Sequence, residues 1–434
     1  MKKIIVLTVG GSPTPIISSI REYKPSFVYF ICSKGPLPKG TEAMVDGAGE
    51  PCGDKRKVTC TRCGETFYLG NPKGKSIVLQ TSLNKDQYQS FALEDPDDLT
   101  ECYKTIEKIS KDIEERFGEG NRVIANYTGG TKTMSVALAY FACLKPEWKL
   151  GLNIGPRRNT YKVDGHDVFM AVDKTIAIVD YALKRVHSAL KNFDYSLAEE
   201  VLKSILQEEP LDQQNRRMII GLQRKIEVFN LWDHFMHAKA LELIHEFSKD
   251  LSLYVVQLKD IVGKLKKGRN AFAKVADLLN NARRRALQQR YDDAVARLYR
   301  ATEMFAQVIL KSEYGLQSSS LSLDDLKEPA LREKYAAFSR DNKGLLLGLE
   351  KSYELLADLG HEAGGLFLKK KNEILSALIK RNNSIMAHGE TPLTSEEYDA
   401  VWNVLYGFLK ECASHVNASI EAPQLPRDEL FKVN

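Results

Sequence analysis

The pattern of hydrophobic and polar positions divides the chain in two. Over the first 180 residues, short apolar β-branched runs alternate with stretches of helical period. Residues 4–9, 27–32, 77–81, 122–127 and 149–154 read as strands, continuous enough to be buried on both faces. Thr14–Tyr23, Leu99–Phe117 and residues 133–144 read as helices. In the longest of them Leu99, Tyr103, Ile106, Ile109 and Ile113 recur every three or four positions. This alternation predicts βαβ units around a parallel sheet, whose ligands collect at the carboxyl ends of the strands. From about Ala182 the strand signal is gone. Val295, Leu298, Ala301, Phe305 and Val308 mark one face of a long helix that stops near Gly315. Further helices are predicted over 332–339, 344–356, 366–380 and 396–416. The last opens with Thr394-Ser395-Glu396-Glu397, a capping box. The predicted fold class is α/β plus all-α: a Rossmann-like domain over 1–180, a helical connector over 181–285 and a C-terminal helical bundle over 286–434.

Length agrees with this partition, since 434 residues suit about three domains at roughly 150 residues each. With 43% hydrophobic and 27% charged residues, composition excludes a largely disordered chain. A net charge of +5 permits an anionic partner without requiring one. The 7 cysteines exclude a disulfide scaffold, and their odd number suits a reducing cytoplasm. No apolar run approaches the roughly 20 residues of a membrane span, and 4–9 is too short for a signal sequence. The expectation is a soluble cytoplasmic protein with no membrane partner.

Four features carry candidate chemistry. Two glycine turns follow predicted strands and open helices: Val9-Gly10-Gly11-Ser12-Pro13-Thr14-Pro15 and Asn126-Tyr127-Thr128-Gly129-Gly130-Thr131-Lys132-Thr133. Glycine lets backbone N–H groups approach a ligand closely, and a helix N-terminus favours negative charge. The hydroxyls of Ser12, Thr128, Thr131 and Thr133 and the cation of Lys132 extend that chemistry to phosphates. G-x-G-x-x-G is absent, and Thr131 stands where a P-loop needs glycine. The plainer alternative is two tight βα turns. Third, Arg381-Asn382 precedes His388-Gly389 after a helix whose Ile374, Leu375, Leu378 and Ile379 form an apolar face. Arg381 and His388 are seven positions apart and can share a helical face. A guanidinium can hold a developing phosphorane and an imidazole can move a proton near neutral pH. Two such motifs across a two-fold axis suffice for metal-free RNA cleavage; a surface pair is the alternative. Fourth, Cys52, Cys60 and Cys63 lie in an insertion over 33–75, with the Cys60-x-x-Cys63-Gly64 spacing of a zinc knuckle. They supply three ligands of a structural zinc. Cys32 is either the fourth or a packed residue, and the whole loop can equally hold incidental thiols. His234 and His237 read as packing residues, and Arg283–Arg285 and Lys369–Lys371 as solvated basic faces.

The order of these motifs resembles the CARF–HEPN ancillary ribonucleases of type III CRISPR systems. G-G-S-x-T-P and N-Y-T-G-G-T-K-T resemble a CARF domain, and Arg381-Asn382 with His388 resembles the R-x4-6-H motif of HEPN ribonucleases. The resemblance covers nearly the whole chain, less securely in the helical middle; the cysteine insertion lies outside it. It implies a homodimeric antiviral endoribonuclease activated by a cyclic oligoadenylate and acting on single-stranded RNA. By carry-over Arg381, Asn382 and His388 are catalytic. Gly10, Gly11, Ser12, Thr14, Asn126, Thr128, Gly129, Gly130, Thr131 and Lys132 then line the cradle for the activator. The implied reaction needs no cofactor and leaves 2′,3′-cyclic phosphates; some relatives also cut their own activator. The competing expectation is a nucleotide-sensing binding module without nuclease activity.

Overall fold

Ile4, Ile5, Val6 and Leu7 follow one another with no polar interruption and are all essentially inaccessible, as a central parallel strand requires. In this computed structural model that strand, β1 (Lys3–Thr8), is flanked by β2 (Phe27–Ser33) and by β4 (Arg122–Asn126), both parallel to it. β3 (Tyr88–Leu93) extends the sheet beyond β2. β5 (Trp148–Ile154) lies beyond β4, and β6 (Val168–Val172) closes that edge antiparallel to it. The order is therefore β6-β5-β4-β1-β2-β3. The chain moves from β1 outward to β3 and then returns to β4 on the other side of β1. That reversal makes the β1/β4 crevice the topological switch point. Helices α1 (Thr14–Tyr23), α2 (Leu99–Phe117) and α3 (Lys132–Leu144) accompany the sheet.

The structure describes residues 1–35, 40–47, 57–59, 64, 66–68, 75–145, 147–155, 157–158, 161–162, 168–208, 211–265, 270–317, 321–340, 344–345, 347–382 and 390–431. They fall into two compact units: Met1–Leu183 with Ser204–Asp212, and Lys184–Lys203 with Gln213–Asn434. The connector expected over 181–285 thus clusters for the most part with the C-terminal helices. That second unit contains α4 (Gln213–Asp233), α5 (Ala273–Leu287), α6 (Tyr291–Tyr314), α7 (Leu349–Asp358), α8 (Glu362–Asn382) and α9 (Ser395–His415). One large apolar core, with Leu298, Phe305, Tyr353, Phe367, Leu405 and Phe408 inaccessible within it, holds α5 to α9 together.

One expectation for the first unit fails, and one strand is unforeseen. Residues 77–81 form a short helix rather than a strand. Ser76 caps it by accepting the Leu79 N–H at 3.3 Å, and Leu79 is 60% exposed. A five-residue apolar run carries no period that separates the two states. The third strand instead comes from Tyr88–Leu93, a half-exposed edge strand whose pattern does not alternate cleanly. Among the described residues no helix is long and apolar enough to cross a membrane.

Candidate functional site

Both glycine turns lie at the carboxyl edge of the sheet, on either side of the switch point. Thr8 Oγ1 donates to the Gly129 carbonyl at 2.6 Å, pinning the end of β1 to the second turn. The contact is close enough to demand glycine. A Cβ on Gly10 would stand 2.7 Å from the Gly130 nitrogen, and one on Gly129 would stand 2.4 Å from the Thr8 oxygen. Gly130 has φ +84°, a conformation that side chains disfavour. Gly11 differs: among the described residues nothing lies within 4 Å of where its Cβ would stand, and it is exposed. Three of these glycines are therefore explained by backbone packing, whereas Gly11 opens to solvent at the mouth of the crevice.

The hydroxyl and amide groups divide in the same way. Asn126, expected at the ligand, is 1% exposed. Its Nδ2 donates to Ser19 Oγ at 2.9 Å and to Asn153 Oδ1 at 2.8 Å, while its Oδ1 accepts from Thr128 N at 3.0 Å and Thr128 Oγ1 at 2.6 Å. Thr128 Oγ1 in turn accepts the Asn153 N–H at 2.7 Å, and Asn153 Nδ2 donates to the Pro15 carbonyl at 2.9 Å. In this state Asn126 is a structural brace that ties β4, β5 and the first turn of α1. Thr131 caps α3, accepting the Met134 N–H at 3.2 Å, and donates to the Pro96 carbonyl at 2.7 Å. Sequence reading missed Thr8, Ser19 and Asn153. The available signal was a buried Ser on the apolar face of α1 and an Asn inside an apolar strand. What remains toward solvent is Gly11, the exposed Lys132 at the start of α3, and the half-buried Ser12 and Thr14. The Ser12 Oγ itself is buried and has no hydrogen-bond partner among the described residues. Two helix N-termini, a lysine and an unused hydroxyl together favour an anion.

In the second unit α8 carries Arg381 and Asn382 as its last two residues. Their side chains, and residues 383–389 with His388, lie outside the described residues, so the shared helical face is not seen. The helix leading to them is firmly seated. Ile374, Ala377 and Leu378 are buried, although Ile379, expected on the apolar face, is 56% exposed. Lys371 reaches both Glu350 at 2.9 Å and Glu354 at 2.7 Å on α7, and Lys370 pairs with Glu411 on α9. Burial pushes the Glu354 carboxyl up, but Lys351 and Lys371 outweigh it and hold it below the usual carboxylate range. Thus two of the three lysines in the run 369–371 are braces rather than a free basic face. After the motif, Thr394 and Glu397 exchange the capping-box bonds, at 3.2 and 2.9 Å, as expected.

Residues 264–411, which span α5 to most of α9 and include Arg381 and His388, match the family model of the Csm6 HEPN domain. This part of the chain is similar to the HEPN domain of Csm6. No curated protein sequence matches the chain. Among solved structures, Csm6 of Enterococcus italicus bound to cyclic hexa-2′-fluoro-hexa-dAMP is similar in fold. The TM-score is 0.52 at 14% identity, over 96% of this chain and 95% of that one. The HEPN match begins before 286, the boundary expected from the sequence, and takes in α5.

That helix corrects another expectation. Arg284 and Arg285 of the HEPN domain are 0% and 7% exposed, not solvated. Arg284 Nε donates to Asp233 Oδ1 at 2.8 Å and Arg285 pairs with the other oxygen of the same carboxylate. Arg283 alone faces outward, over the rings of Trp402 and Tyr406. His237 Nε2 lies 2.9 Å from Asp277 Oδ2, which accounts for it without a metal. Cys52, Cys60 and Cys63 lie outside the described residues. Among those described, no group of three His, Cys, Asp or Glu residues could hold a metal ion. Cys32, the candidate fourth ligand, is inaccessible and donates to the Phe91 carbonyl at 3.5 Å. Burial, with the carboxylates of Glu42 and Asp46 beyond, pushes its thiol up to about 12.

Proposed function

We propose that this chain is a type III CRISPR ribonuclease whose HEPN domain cuts single-stranded RNA when a cyclic oligoadenylate occupies the β1/β4 crevice. The observation that carries this is the match of 264–411 to the Csm6 HEPN domain, a span that contains the Arg381…His388 motif. The fold likeness to Enterococcus italicus Csm6 over nearly the whole chain supports an α/β sensor joined to it. Electrostatics favour the same ligand class: Lys132, two helix N-termini and a Ser12 hydroxyl unpaired among the described residues lie at the carboxyl edge of the sheet.

In this reading Arg381 stabilises the charge of the phosphorane formed as a 2′-OH attacks its neighbouring phosphate. His388 moves the proton at the attacking or leaving oxygen, and Asn382 orients the motif. Because one imidazole cannot easily serve both oxygens, a second copy of the chain completes the site. The products carry a 2′,3′-cyclic phosphate and a 5′-OH, and the step uses no metal. In this reading Ser12, Thr14 and Lys132 also position a 2′-OH of the activator, which makes the sensor self-limiting. The test is cleavage of labelled single-stranded RNA by the purified protein in EDTA, with and without cyclic tetra- and hexa-adenylate. Ligand-dependent, EDTA-resistant cleavage is expected. Tight binding of the ring without cleavage would instead identify a pure sensor.

A further inference from the structure

The interior of the first unit is mainly apolar, yet three polar side chains are buried together beneath the crevice. They are Ser19 on α1, Asn126 at the end of β4 and Asn153 near the end of β5, each no more than 1% exposed. Burying an amide costs free energy unless it is hydrogen-bonded, and apolar groups of the same shape would serve stability as well. What such a cluster adds is order, because it specifies which atoms lie where. Asn153 is the member that touches both walls. Toward the first glycine turn its Nδ2 donates to the Pro15 carbonyl at 2.9 Å. Its Oδ1 accepts from Ser19 Oγ at 2.6 Å, the nearer of two acceptors for that hydroxyl, the Pro15 carbonyl lying at 2.8 Å. Toward the second turn the same Oδ1 accepts from Asn126 Nδ2 at 2.8 Å, and the Asn153 backbone N–H donates to Thr128 Oγ1 at 2.7 Å. Pro15 directly follows Thr14, and Thr128 directly precedes Gly129. One amide side chain thus joins the first turn of α1 to the end of β4.

Thr128 keeps one degree of freedom in this arrangement. A hydroxyl carries a single hydrogen, and that of Thr128 has two acceptors in reach, Asn126 Oδ1 at 2.6 Å and Asn153 Oδ1 at 3.3 Å. Neither acceptor depends on it. Asn126 Oδ1 also accepts the Thr128 backbone N–H at 3.0 Å, and Asn153 Oδ1 also accepts from Asn126 Nδ2. The hydrogen can therefore turn to a ligand oxygen without leaving a buried acceptor unpaired, while the Thr128 oxygen stays where the Asn153 N–H holds it.

We infer that Asn153, anchored to α1 by Ser19, is a positioning residue for the crevice: it fixes the spacing of the two walls and thereby the affinity for a ring that touches both. The inference rests on the reading of the crevice as the activator site. Walls already held in place spare the cost of ordering them on binding. Without the amide each wall relaxes separately, and the ring has to bring them back into register.

The test uses the full-length protein with cyclic tetra- and hexa-adenylate as probes. Wild type, Asn153→Ala, Ser19→Ala and the double variant are compared by titration calorimetry, at a temperature where thermal melts show each to be folded. Asn153→Ala should weaken ring binding about tenfold and Ser19→Ala about threefold. The double variant should bind no more weakly than Asn153→Ala alone, since both changes remove the same link. In cleavage of labelled RNA the half-activating ring concentration should rise by the same factors, while the rate at saturating ring stays within about twofold of wild type. A residue that only stabilises the fold would lower the thermal midpoint and leave the ring affinity of the folded protein unchanged. That result overturns the inference, as do losses that multiply in the double variant. Should Asn153→Ala not fold, Ser19→Ala carries the test, and unchanged ring affinity in that variant overturns the inference. Wild-type protein that binds neither ring rejects the activator reading and this inference together, whereas binding of equal strength by wild type and variants rejects the positioning role alone.

Discussion

Gly129→Ala should unfold the first unit well before the wild type, and Gly11→Ala should not. The Cβ added at Gly129 would stand 2.4 Å from the Thr8 oxygen, against an ordinary carbon–oxygen contact of about 3.3 Å. The Thr8 oxygen is backbone and a Cβ is fixed by its own backbone, so the roughly 0.9 Å overlap cannot be relieved by turning a side chain. The turn must move off the end of β1, which stretches the 2.6 Å bond from Thr8 Oγ1 to the Gly129 carbonyl. Overpacking costs about 1–3 kcal/mol and the weakened bond about 0.5–1.5 kcal/mol, so the total is about 2–4 kcal/mol. For a unit of this size, about 2–4 °C per kcal/mol gives a fall of about 10 °C in thermal midpoint. At Gly11 no described residue lies within 4 Å of the added Cβ, and the midpoint should stay within about 1 °C. Calorimetry on the full chain, following the transition of the first unit, reads both. Equal midpoints for the two variants would refute the claim that the glycine turns are locked together by backbone packing.

Other consequences follow from single side chains. Lys132→Ala should weaken cyclic-oligoadenylate binding about tenfold by titration calorimetry while leaving the thermal midpoint unchanged, because Lys132 is exposed at the start of α3. Thr394→Ala removes the cap of α9 and should cost about 1 kcal/mol in denaturant unfolding of the second unit. Glu354 gives a pH dependence. Its carboxyl is depressed in the folded state, so its pairs with Lys351 and Lys371 contribute stability above the unfolded value of about 4.3. That contribution disappears as pH falls through the folded value. The midpoint advantage of wild type over Glu354→Gln should be full at pH 7 and shrink steadily in acid; an advantage that grows on acidification contradicts the ion-pair assignment.

Long elements with a clear period are legible in the sequence: Thr14–Tyr23 and Leu99–Phe117 fall where the apolar spacing places them. The capping box at Thr394 was legible because its partners are three positions apart. Short elements were not, since residues 77–81 offer one turn of either structure and Tyr88–Leu93 is an edge strand with mixed faces. Charge runs misled for a different reason. Nothing local to Arg284 and Arg285 announces Asp233, which sits about fifty positions upstream and turns a basic face into a buried cluster. The glycine turns stood out as motifs, but their inner members serve contact between strands, and Asn126 braces the crevice from within. Only partners distant in sequence, Thr8 and Asn153, separate the residues that hold the turns from those that face outward.

The central claim is that an arginine and a histidine near the end of the HEPN domain cut RNA under control of an anionic ring at the other domain. The most direct measurement is cleavage of labelled single-stranded RNA in EDTA by wild type, Arg381→Ala and His388→Ala, each with and without cyclic oligoadenylate, alongside the affinity of each protein for the ring. The account predicts ring-dependent cleavage by wild type, none by either variant, and the same ring affinity in all three. Full cleavage by the His388→Ala protein would contradict it.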